Sequence, residues 1–101
     1  MTRRPGDLIV KDPSSIEPQG IDWTAYLAEL GAGVTITTST YAVSPVGGIT
    51  LSNAAITAGN LKTEVMLTGG TVGVRYTITN HIVTSNTVTD ERSFDVLVED
   101  R

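Results

Sequence analysis

Hydrophobic and polar positions alternate with a period of two along most of this chain. The clearest run is residues 74–82. Val74, Tyr76, Ile78, Asn80 and Ile82 share one face, and Arg75, Thr77, Thr79 and His81 share the other. Such alternation marks a strand with one buried side. A second strand is expected over residues 92–99, with Phe94, Val96 and Val98 inward and Asp95, Leu97 and Glu99 outward. A third is expected over residues 61–68, with Leu61, Thr63, Val65 and Leu67 together. Residues 21–27 read as the first good strand, Ile21, Trp23, Ala25 and Leu27 opposing Asp22, Thr24 and Tyr26. Residues 34–43 are β-branched and Thr-rich, and their apolar positions change parity between Ile36 and Tyr41. A β-bulge near Thr40 accounts for the change. A Pro- and Gly-containing turn at residues 44–48 leads to a short strand at 49–52, and residues 53–60 are less regular. No stretch carries a helical period of 3.6, so negligible helix is expected.

Gly69, Gly70 and Gly73 turn the chain into the strand that starts near Tyr76. Immunoglobulin-type sandwiches carry a tyrosine corner at that place. Where such domains have a Cys two positions later, this chain has Ile78, so the contact between sheets is apolar. About seven short strands with turn signals between them predict an all-β, immunoglobulin-like β-sandwich over residues 21–101. Trp23, Tyr76, Ile78 and Phe94 are its expected structural residues, and a buried Trp23 requires an acceptor for its indole N–H. Residues 1–20 read as an extended N-terminal arm. They hold three of the four prolines and one apolar patch, Leu8, Ile9 and Val10, between Asp7 and Lys11. Such a patch pairs with a sheet edge or lies along a neighbour. The expectation is an arm ordered only on a partner and dispensable for folding.

A length of 101 residues suits one domain. The net charge of −4 argues against nucleic-acid binding, which needs a field of Lys and Arg. The absence of Cys excludes disulfides and thiol chemistry. No apolar run approaches the length of a membrane span, and no membrane partner is expected. Arg3 and Arg4 are not followed by a signal-peptide core, because Asp7, Lys11 and Asp12 interrupt it. Export through a secretory signal is therefore not expected.

Candidate chemistry is sparse. His81 is the one histidine, with no nucleophile or ligand set at a recognisable spacing. Asp90, Glu91, Asp95, Glu99 and Asp100 cluster without the looped spacing of a calcium site. They read as a solvated strand face that discourages edge pairing. The turn TGGTVG lacks the Lys-Ser/Thr of a phosphate loop and leads into a strand. No catalytic, cofactor-binding or metal-ligating residue is expected, and the chain does not read as an enzyme.

Three ordered stretches carry a resemblance. They are KDP at residues 11–13 with IDW at 21–23; LTGGTVG at 67–73 with Tyr76 and TNHI at 79–82; and TDERSFDVLV at 89–98. Together they resemble small immunoglobulin-like virion proteins of tailed bacteriophages. The departure is greatest over residues 34–60, where family members usually carry a Trp near the position of Tyr41. The resemblance implies a structural protein of the particle, made in the bacterial cytoplasm, with no cofactor. The expected role is a capsid cement or decoration protein, forming homo-oligomeric contacts on the head and binding the major capsid protein or neighbouring virion proteins. The alternatives are a neck or tail component, or a surface module that binds glycans or a receptor. The expected interface is Arg3, Arg4, Leu8, Ile9 and Val10 in the arm, with Arg92, Asp95 and Leu97 on the last strand.

Overall fold

The alternation of residues 74–82 is realised side chain by side chain. Tyr76, Ile78, Asn80, Ile82 and Thr84 are buried, and the residues between them are exposed or half-buried. The computed structural model describes residues 8–100. Its elements are β1 (Leu8–Lys11), β2 (Ile16–Asp22), α1 (Thr24–Leu30), β3 (Ile36–Ser44), β4 (Ile49–Thr57), β5 (Lys62–Gly69), β6 (Arg75–Thr84) and β7 (Thr89–Val98). One sheet has the order β1-β7-β6-β3 and the other β2-β5-β4. The inward faces meet in a core that includes Ile21, Trp23, Leu27, Ile36, Val65, Leu67, Tyr76, Ile78, Phe94 and Val96. The all-β sandwich expected from the pattern is the fold observed.

Four details differ from the pattern reading. Residues 8–20 are not a separate arm. β1 runs parallel to β7 with Ile9 beside Val96, and β2 runs antiparallel to β5 from Ile16 onward. The three aliphatics therefore close an edge of the chain's own sheet.

Residues 24–30 form a short helix where a strand was expected. Trp23 and Leu27 are four apart and both buried, so a helical turn buries the same pair that alternation would. The Asp22 carboxylate accepts from the Thr24 backbone N–H at 2.9 Å and from its hydroxyl at 2.5 Å. That turn before the helix ends the strand locally.

The bulge of β3 lies between Ile36 and Thr38, three residues earlier than expected. β4 is longer than expected, because a second irregularity between Ser52 and Ala55 lets the strand continue. Asn53 takes a positive φ of 53° there, a conformation that Asn tolerates better than most residues.

The strands run between two poles. Residues 12–15, 45–48 and 70–74 gather at one, here called the turn pole, where β7 also ends. Helix α1 and residues 31–35, 58–61 and 85–88 gather at the other, the helix pole. The molecule measures 44 × 22 × 20 Å along its principal axes.

Candidate functional site

The interior carries a polar network. Trp23 donates its indole N–H to the Asn80 Oδ1 at 2.9 Å, and Thr63 donates its hydroxyl to the same oxygen at 2.7 Å. The Asn80 amide donates to the Ser39 hydroxyl at 2.9 Å and to the Thr40 carbonyl at 3.0 Å. Tyr41 and Thr63 share a hydroxyl–hydroxyl bond at 2.8 Å. Burial pushes the Tyr41 phenol up to about 12. All four Asn80 amide bonds join donors to acceptors, so the network ties β3, β5 and β6 to Trp23 and offers no reactive group.

Lys11 is fully buried at the turn pole. Its ammonium donates to the carbonyls of Asp12, Ser15 and Gly69 at 3.0, 2.6 and 2.7 Å. Burial pushes it below the usual lysine range, while Glu17 and Asp12 act in the opposite direction. This explains the KDP stretch. Lys11 fastens the β1–β2 turn to the end of β5, and the Asp12 carboxylate accepts from the Ser14 N–H at 2.7 Å.

At the helix pole the Arg92 guanidinium lies 4.5 Å from the Trp23 ring centroid and 5.0 Å from that of Tyr26. It closes over the buried indole by cation–π contact. Beside α1 is an apolar recess of about 570 Å³ lined by Leu27, Ala28, Ala32, Val34 and Leu61 among others. Thr24 and Thr35 are the polar side chains of its lining, and the Thr24 hydroxyl is bonded to Asp22.

The expected interface residues separate into groups. Arg3 and Arg4 lie outside the described residues. Ile9 is in the core, and the half-buried Arg92 places its guanidinium over Trp23 and Tyr26. The parallel register sets Leu8 beside Asp95 and Val10 beside Leu97 on the outer face. Leu8 is 47% exposed and Val10 37%. Asp95 accepts from Arg75 at 2.9 Å and from the Thr77 hydroxyl at 2.9 Å, and these bonds hold its carboxyl below the usual range. Asp95 therefore fixes an ion pair across β6 and β7 beside an apolar strip. β7 lies between β1 and β6, so its acids do not guard a sheet edge. His81 pairs with Glu91 at 3.1 Å on the outer face. Among the described residues no group of three or more His, Cys, Asp or Glu could hold a metal ion. Among the same residues no helix is long and apolar enough to cross a membrane.

The two-sheet architecture defines an immunoglobulin-like module. Solved structures bear this out at the level of fold. The PKD domain from the KIAA 1837 protein matches with a TM-score of 0.60 at 16% identity, over 97% of this chain and 83% of that one. The cysteine protease inhibitor EhICP2 from Entamoeba histolytica matches with a TM-score of 0.57 at 13% identity, over 94% of this chain and 87% of that one. No curated protein matches. The model of one family, the podophage GP4 fiber-tail adaptor protein gp77, matches residues 11–97. The chain belongs to that family, and it is a bacteriophage structural protein, part of the virion.

Proposed function

We propose that this chain is a non-enzymatic adaptor of the phage tail, holding fibre and tail proteins together through the outside of its sandwich. The observation that carries the reading is the family match over residues 11–97. It favours the neck or tail alternative over the capsid cement expected first. The geometry is compatible: an apolar strip of Leu8, Val10 and Leu97 lies on one rigid outer face beside the Asp95–Arg75 pair. Flat apolar strips with a fixed polar border suit association with another protein.

The test is the position and stoichiometry of the chain in purified virions, by labelled electron microscopy and quantitative mass spectrometry. The adaptor reading expects label at the tail and a copy number set by a closed ring about the tail axis. Label spread over the head at the stoichiometry of the capsid lattice would restore the cement reading and overturn this one.

A further inference from the structure

We infer that the turn pole is a preformed plug: its exposed valines enter an apolar socket fringed by Lys and Arg on a different virion protein. The inference rests on the adaptor reading and names the surface and partner chemistry for it. Val46 is 84% exposed, Val72 50% and Ile16 63%, on three neighbouring segments of this pole. Isolated exposed valines are ordinary on a surface. These differ in being held on a braced scaffold.

The bracing is specific. Gly70 donates its N–H to the Gly48 carbonyl at 3.2 Å, which joins the Val46 loop to the Val72 loop. Thr71 donates its N–H to the Tyr76 hydroxyl at 3.0 Å. A Cβ at Gly48 would collide with that same hydroxyl, so the loop can approach Tyr76 this closely only with glycine there. Gly73 donates to the Val98 carbonyl at 2.8 Å, and Val98 donates back to Val74 at 3.1 Å. Lys11 secures Gly69 and Ser15 from beneath. An apolar group on a backbone already fixed loses little entropy on docking, so more of its burial appears as affinity.

Charge selects the partner. Asp12, Glu99 and Asp100 border the plug, and Glu17 faces Lys11. The cations of the described residues are already engaged: Lys11 with carbonyls, Lys62 with Asp22, Arg75 with Asp95, and Arg92 over the aromatic rings. Among the described residues, a second copy therefore offers no unengaged Lys or Arg to such a rim. The apolar recess at its helix pole has no Lys or Arg in its lining, and Asp90 and Glu91 stand at the same pole. The acidic rim would find no basic fringe there, since Arg92 lies over the rings and Lys62 pairs with Asp22. A basic fringe on another protein complements the rim and speeds encounter.

The experiment uses virions assembled without this chain, mixed with purified chain and sedimented. Wild type is expected to bind, and binding is expected to weaken as salt is raised. Val46→Asp with Val72→Asp should reduce affinity at least about tenfold while the melting curve is retained, since both sites are exposed. Glu99→Lys with Asp100→Lys should weaken binding in a second, independent way; it serves if the valine variant does not fold. Wild-type binding by both variants would overturn the plug and leave the adaptor reading standing. Failure of the wild type to bind the tail at all would overturn the adaptor reading and the plug with it. Self-association of the isolated chain, abolished by Val46→Asp, would assign the plug to a second copy and overturn the basic-socket partner.

Discussion

Trp23 and Asn80 are 57 residues apart and joined by one buried hydrogen bond of 2.9 Å. The bond links the start of the helix to the middle of β6. Asn80 occupies an inward position of the alternation, where an apolar residue would normally stand. Its amide is the hub on which Trp23, Thr63, Ser39 and Thr40 converge.

Asn80→Leu keeps the heavy-atom branching and removes the hub. It should destabilise by at least about 1–3 kcal/mol, the cost of orphaning a buried polar group. In a Trp23→Phe background the loss should be smaller, because the indole donor is already gone. Denaturant unfolding of the four proteins measures the coupling. Strict additivity would mean the bond contributes nothing to stability.

Tyr76→Phe should cost about 0.5–1.5 kcal/mol, since the hydroxyl accepts one backbone hydrogen bond. Gly48→Ala should cost more in the presence of the hydroxyl than in its absence, because the added methyl meets Tyr76. Thermal melts of the single and double variants decide this. An equal cost in both backgrounds would show that Gly48 and Tyr76 do not constrain each other.

The stability of the protein should fall in alkali. Free tyrosine ionises near 10.0, while Tyr41 in the fold resists until about 12. Between those values the unfolded chain releases a proton that the folded chain keeps, so stability decreases as pH rises. Tyr26 is also pushed up, by burial and then by its bond to Asp90, and adds a slope of the same sign. Lys11, pushed down by burial, contributes the opposite sign on the way to the ordinary lysine value of 10.5. The difference between wild type and Tyr41→Phe isolates the first effect. Denaturation midpoints at pH 9 and pH 11 should lie closer together in the variant.

Sequence pattern was a good guide where each residue has one job. β6 and β7 lie inside their sheet with one face buried, so alternation marks them. The corner at Tyr76 was readable because a Gly turn and a tyrosine stand together. The pattern misled where two periods bury the same residues, as with Trp23 and Leu27 in α1. It could not assign β1 to its partner, because three aliphatics in a row show that something will be covered and not by what. Lys11 left no pattern at all. One lysine beside an Asp and a Pro looks like surface, and its burial depends on three carbonyls from two segments, the turn at residues 12–15 and the end of β5. The turn pole was equally hidden, since it assembles loops 22 or more residues apart.

The N-terminal strand gives the sharpest difference between pattern and structure. As a dispensable arm, residues 1–11 could be removed without loss of stability. The structure gives residues 8–11 a different role: Ile9 is 5% exposed among core side chains, and Lys11 makes three hydrogen bonds. A chain starting at Asp12 loses the burial of Ile9, about 1.5–3 kcal/mol. It also loses the β1–β7 ladder and leaves the Gly69 carbonyl without its donor, at about 0.5–1.5 kcal/mol for each net bond. The sum is a large share of the 5–15 kcal/mol typical of a domain. The truncated chain should therefore melt well below the full one, or fail to fold. Ile9→Ala should reproduce much of the loss, at about 2–5 kcal/mol. Leu8→Ser with Val10→Ser should change stability by less than about 1 kcal/mol, as exposed sites do, while reducing association with virions if the outer strip docks there. An unchanged melt after truncation would show that β1 is an accessory to this sandwich and that the core is complete without Ile9.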